Sequence, residues 1–305
     1  MTDALTLRNV TKFYAKDRPA VDNISFDVRA GSFTALLGPN GSGKSTTLKI
    51  CANMLEPTSG SVIICGKDLS DDPEDALSRI GCVIETPALY ADRPVIETLR
   101  HTCRMMGMTR ERASYEAIHV LDLVDMGKDG NLKYGKMSKG MKQRTVLAQA
   151  LIGSPEILIL DEPTSGLDPA GMSEIEAILE RLHEDGTSIL MSSHMLQEVN
   201  RLCDSFVFIR HGEMILSQSV NEYRSSLKTT FTINRDITAR DMSVINRIDG
   251  FVSADASAHT IVFDTKDDDD TRAGILSALV SNGIPVCRMT EEDPLERLFT
   301  EGGAE

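Results

Sequence analysis

The chain has 305 residues, 41% of them apolar and 26% charged, with a formal net charge of −14, which marks a soluble globular protein of about two domains. That acidity argues against nucleic acid as a partner, since a nucleic-acid binder normally presents a basic face. No apolar run reaches the roughly 18 residues that cross a bilayer, and the opening MTDALTLRNV lacks a signal-peptide build, so a cytoplasmic, unprocessed protein is expected.

The six cysteines (51, 65, 82, 103, 203 and 287) show no C-x-x-C spacing and read as small apolar residues of a reducing compartment. In chain order, LTLRNVTKFY and AVDNISFDVRAG alternate as short strands around the polar AKDRPA. Tyr14 ends the first of them, where its ring could stack on a nucleotide base or simply pack at a strand end. SFTALL (32–37) is a buried strand by its apolar run, and GPNGSGKSTTLKI (38–50) follows it. This stretch fits G-x-x-x-x-G-K-[ST] with Gly38, Gly43, Lys44 and Ser45 in the fixed places.

The chemistry explains the residue types. Glycines let successive backbone N–H groups of Gly38, Asn40, Gly41, Ser42, Gly43 and the following residues turn inward on a phosphate, and the helix start adds its positive end. Lys44 supplies an ammonium for the outer phosphates, Ser45 a hydroxyl for Mg²⁺, and Thr46 continues the cradle.

VIIC is a further strand, and IGCVIETPALY (80–90) is a strand running into a proline-marked loop. VIETLRHTCRMMGM and ERASYEAIHVLDLVDM carry apolar residues at three and four spacing, as amphipathic helices do, and a helix from about Lys139 to Leu151 comes next. EILILDEP (156–163) is a buried strand closing on two carboxylates, which are costly at a buried strand end unless paired or metal-bound. Asp161 is the expected Mg²⁺ partner and Glu162 the group that orients or deprotonates water. After the turn TSGLDPAG, a helix with Met172, Ile175, Ile178, Leu179 and Leu182 on one face ends near His183, expected at the surface. TSILMSSH is another strand, and it leaves His194 on the edge that carries Asp161 and Glu162.

FVFIRHGEMILSQS reads as a hairpin, and beyond Asn221 the composition shifts: the last 85 residues hold 16 acidic and 9 basic side chains. Their order, βαββαβ with a short terminal helix, suggests a small α+β domain of ferredoxin-like type. The run Asp267–Asp270 reads as an acidic helix cap. No second phosphate loop or internal repeat is present in the sequence.

Taken together and in order, these residues resemble the nucleotide-binding subunit of ABC transporters over residues 1 to about 220. On that resemblance Tyr14 falls at the adenine-stacking aromatic, SGLD (165–168) with Asp168 at the D-loop, and His194 at the switch histidine. MSKGM (137–141) lies where LSGGQ is usual, with Lys139 for the first glycine and Met141 for the glutamine, while Ser138 and Gly140 remain to meet a γ-phosphate. Glu85 replaces the Q-loop glutamine, keeping an oxygen for Mg²⁺ or water but losing the amide donors. Both replacements, the extra C-terminal domain and the closing EEDPLERLF resemble bacitracin, lantibiotic and multidrug exporter ATPases.

The resemblance implies a P-loop NTPase core, residues 1–220, of mixed sheet and helices with a helical subdomain at about 86–145, followed by an accessory domain at 221–305. It implies ATP and Mg²⁺ as cofactors and hydrolysis between two ATPase subunits, in a homodimer or a pseudo-symmetric heterodimer. It further implies a separate transmembrane permease that holds the chain on the inner face of the cell membrane. The alternatives are a soluble ABC ATPase without a permease, which is expected to carry two cassettes or a long coiled coil, and a binding-only regulatory subunit. A P-loop kinase leaves the signature, SGLD and His194 unexplained.

Overall fold

The structure, a computed structural model, describes residues 3–15, 18–85, 89–224, 227–265 and 268–292. It opens on two long strands, β1 (Asp3–Ala15) and β2 (Arg18–Arg29), paired antiparallel from Asp3↔Arg29 to Ala15↔Arg18. The phosphate-loop strand β3 (Phe33–Leu37) is buried at all five positions, as a strand covered on both faces must be. Its loop turns directly into α1 (Lys44–Cys51). β4 (Ser59–Ile64) and the short β5 (Lys67–Asp68) then return to complete a sheet ordered β2-β1-β4-β5.

A short helix, α2 (Pro73–Leu77), is capped by Asp72, which accepts the Asp75 N–H, and leads into β6 (Ile80–Val83). The amphipathic segments then form α3 (Val95–Met105), α4 (Arg110–Leu123) and α5 (Lys139–Ala150), which pack on one another. α3 buries Val95, Ile96, Leu99 and Cys103, which are the apolar positions of its three-and-four spacing. α4 also buries Glu116, which is tolerated because its carboxylate accepts the Gly153 N–H at 2.8 Å.

β7 (Ile157–Asp161), α6 (Pro169–Glu184), β8 (Ser188–Ser193), α7 (Leu196–Leu202), β9 (Ser205–Arg210) and β10 (Glu213–Ser219) follow. They build a second sheet ordered β10-β9-β3-β8-β7-β6, parallel from β9 to β6. β9 and β10 are joined by His211 and Gly212, both at positive φ (54° and 88°), the geometry of a tight hairpin turn. His183 departs from its expected surface position: it is half-buried, edge-on to Phe33 and 3.3 Å from Asp204. Burying the ring against Phe33 outweighs the pull of solvent at the helix end.

Register is what matters for the site. β3 and β8 pair to Leu37↔Ser193, and β7 and β8 pair to Asp161↔Ser192. The carboxyl ends of three neighbouring strands therefore finish level, and the segments leaving them share one edge.

Contacts divide the chain into Met1–Ser217 and Gln218–Glu305. The second unit holds α8 (Val220–Arg224), β11 (Lys228–Ile233), α9 (Ala239–Ile245), β12 (Phe251–Asp255), β13 (Thr260–Asp264), α10 (Asp269–Ser281) and β14 (Val286–Glu292). Its sheet is antiparallel and ordered β12-β13-β11-β14, the split arrangement of a βαββαβ unit. Phe231, Ile233, Ile245, Ile261, Phe263, Ile275, Leu279 and Ile284 form its core. A capping box of Thr238 and Asp241 starts α9, and the Arg235 guanidinium holds the Asp241 carboxyl far below the usual carboxylate range. Asp268 caps α10 by accepting the Asp270 and Thr271 N–H groups. The short helix expected in EEDPLERLF lies, from residue 293, outside the described residues.

Candidate nucleotide-binding and hydrolysis site

The phosphate loop leaves little freedom to its glycines. A Cβ on Gly38 would lie 2.1 Å from the Ile209 carbonyl oxygen, and one on Gly43 2.6 Å from that of Ala20. Gly43 stands at the N-cap of α1 with φ 109° and offers no side chain, so the first-turn N–H groups of α1 have no side-chain acceptor. Lys44 is buried, and its Nζ donates to the carbonyls of Gly38 (2.7 Å) and Pro39 (3.2 Å). Burial pulls its pKa down, while Glu162 and Asp161 nearby push it up. Asn40, Gly41 and Ser45 are exposed at the loop's rim. The Ser42 hydroxyl is buried with no hydrogen-bond partner.

These features fit a polyphosphate. An uncapped helix start and an orphaned buried hydroxyl are unsatisfied in a way that phosphate oxygens would relieve, and the buried Lys44 ammonium, which gives two of its three donors to loop carbonyls, adds a positive charge beside them. Mg²⁺ also fits, because it is usually held by one or two carboxylates and substrate phosphates, and Asp161 and the Ser45 hydroxyl supply hard oxygen donors. Among the described residues no group of three His, Cys, Asp or Glu forms a metal cage of its own.

At the end of β7, Asp161 Oδ1 accepts the Ser192 hydroxyl at 2.6 Å, and the same oxygen of Ser192 accepts the Glu162 N–H at 2.9 Å. Ser192 is fully buried and fixes both acidic residues, a role that nothing in TSILMSSH betrays without the Asp161↔Ser192 register. Glu162 has a positive φ of 44°, a conformation that turns its side chain off the strand path. Its Oε1 lies 3.4 Å from Nδ1 of His194, which is half-exposed.

Glu198, also missed, is buried on α7 and accepts the Thr164 hydroxyl at 2.5 Å and the Ser193 hydroxyl at 2.6 Å. It ties the turn after Glu162 to the strand end before His194. Together Glu162, Thr164, His194 and Glu198 line a small cavity of about 80 Å³.

The remaining predicted residues are distributed unevenly. Tyr14 is exposed, and its hydroxyl lies 3.4 Å from that of Thr46 at the start of α1, so the ring stands beside the phosphate loop. Glu85, also at positive φ (65°), pairs with Lys49 of α1 at 2.5 Å; this hydrogen bond raises the Lys49 pKa. Ser138 and Asp168 are both spent as N-caps, accepting the Met141 and Gly171 N–H groups respectively. Gly140 packs beside Gly171, where an added Cβ would be 3.9 Å from its Cα. Ser138, Gly140 and Asp168 thus gather at the starts of α5 and α6, and their contacts are there and not at the phosphate loop.

A strand-loop-helix phosphate cradle facing an Asp-Glu strand end and a histidine defines a P-loop NTPase cassette. The ABC transporter family profile matches residues 21–165. The lantibiotic transport ATP-binding protein SrtF of Streptococcus pyogenes is 37% identical over 76% of this chain and 97% of its own length. The bacitracin transport ATP-binding protein BcrA of Enterococcus faecalis is 31% identical over 99% of this chain and 96% of its own. Among solved structures, the dimeric cassette MJ0796 bound to ADP and Pi covers 71% of this chain and 98% of its own, with 27% identity and a TM-score of 0.63. The chain therefore belongs to the ABC transporter ATP-binding family, and it is an ATPase of that family. Among the described residues no helix is long and apolar enough to cross a membrane.

Proposed function

We propose that residues 1–220 are the ATPase domain and 221–305 an accessory domain of an exporter whose pore is a separate permease. The permease keeps the chain at the inner face of the membrane. The observation that carries this reading is the gathering of Lys44, Asp161, Glu162 and His194 on one sheet edge, close enough that both acids act on the Lys44 ammonium. Export is the reading supported by relatives named for lantibiotic and bacitracin transport.

In this reading Tyr14 packs against the base, and the loop Gly38–Thr46 holds the phosphates through its N–H groups and Lys44. Ser45 and Asp161 would hold Mg²⁺, which when bound offsets charge on the phosphates, and Glu85, paired with Lys49 of α1, would reach the ion or its water from the loop after β6. Glu162 accepts a water proton on its carboxylate, and His194 fixes the orientation of that carboxylate. Ser138, Gly140 and Asp168 of one copy complete the site of a second copy, which explains why they do not contact their own phosphate loop.

A groove of about 230 Å³, lined by Met54, Ile84, Thr102, Met106, Gln149 and Ile152, lies between α1, β6, α3 and α5. Met54 and Met106 are exposed there, and methionine surfaces repack readily around a partner. We assign this groove to the permease.

The test is phosphate release by purified protein, alone and with any membrane protein that co-purifies with it. Saturable release that stops on addition of EDTA is expected. Its absence in both preparations would refute the proposal.

A further inference from the structure

Lys139 replaces a glycine of the family signature and occupies the first position of α5. A cation is unfavourable at the positive end of a helix, and the first turn of α5 has no acidic residue to offset it. The side chain instead reaches across to the turn after Glu162, where its Nζ donates to the Gly166 carbonyl at 2.8 Å. A Cβ added to Gly166, at φ +67°, would lie 2.3 Å from that nitrogen, so the ammonium sits directly against the glycine's open side.

The turn is also held within itself and from α7. Ser165 and Leu167 donate to the carbonyls of Glu162 and Thr164 within it, and the Thr164 hydroxyl is held by buried Glu198 at its near end. Lys139 adds a support from α5 to the turn itself, while Arg144 of α5 pairs with Glu174 of α6, the helix that follows the turn, at 3.5 Å.

We infer that Lys139 is a positioning residue: a strut that joins the signature helix to the D-loop of the same subunit, so that both meet a second copy's nucleotide as one body. This rests on the two-copy reading above. Lys139 acts through Gly166, and its charge is not needed for the chain's own phosphate loop, which is held by Lys44.

Lys139→Met keeps the aliphatic stem and removes the donor, whereas Lys139→Arg restores a donor. Hydrogen exchange of the peptide spanning residues 164–168 should rise about three- to tenfold in K139M, the factor expected for one lost charge-assisted hydrogen bond at a surface. It should return towards the parent in K139R. In the same proteins kcat should fall by a similar factor in K139M, with KM for ATP and the unfolding midpoint unchanged.

Unchanged exchange in K139M overturns the strut whatever the ATPase result. A kcat loss that K139R does not restore, or that comes with a lower unfolding midpoint, assigns Lys139 a general structural role and overturns the positioning role. If exchange responds but the parent hydrolyses no ATP, the contact stands, while the proposed function and the positioning role that rests on it both fail.

Discussion

Glu162→Gln is expected to lower kcat by about 10²- to 10⁴-fold, the range associated with losing a positioned general base, while ATP still binds. The amide has the carboxylate's shape but does not accept a water proton at neutral pH. The backbone of Glu162 is held at φ 44° with its N–H on Ser192, a contact that the substitution does not touch. The fold and the phosphate loop should therefore persist, which a fluorescent ATP analogue would show as an unchanged Kd. Turnover equal to that of the parent would remove Glu162 from the chemistry and leave His194 without the partner it has at 3.4 Å.

Lys44→Met is expected to fail earlier, at binding. The ammonium is buried and is the donor for two loop carbonyls, so a thioether leaves those oxygens unpaired and removes the positive charge that faces Asp161 and Glu162. A charge-assisted contact of this kind is worth about 1.5–3 kcal/mol, so calorimetry should show ATP binding weakened by roughly ten- to a hundredfold. The far-ultraviolet circular dichroism should match the parent. An unchanged Kd would mean that the loop binds phosphate without its lysine.

Much of this site could be read from the chain because its parts are local. GPNGSGKST carries its own strand, turn and helix start, and EILILDEP places two acids at the end of a buried run. The partners of those parts were not legible, because they depend on register between strands far apart in sequence. Ser192 looks like any serine in an apolar strand until β7 and β8 are paired, and only then does it stand between Asp161 and Glu162. Glu198 reads as a solvent-facing acid on a short helix, and only the packing of α7 against the end of β8 buries it. Glu85 was expected near Mg²⁺ or water from resemblance. Its pairing with Lys49, on a helix 36 residues earlier, comes from the meeting of β6's exit loop with α1. In the second unit the βαββαβ order was visible from alternating apolar runs and turns, whereas the Arg235–Asp241 pair that anchors α9 was not.

Ser138 and Asp168 cap their own helices and Gly140 lies in the first turn of α5, so on the proposed reading one copy of this fold supplies only half of each ATP site. The most direct test is the molar mass of the Glu162→Gln protein by light scattering, with and without ATP and Mg²⁺. Nucleotide should double the mass from one chain to two, and EDTA should reverse the change. A mass that stays at one chain at saturating ATP would contradict the shared site.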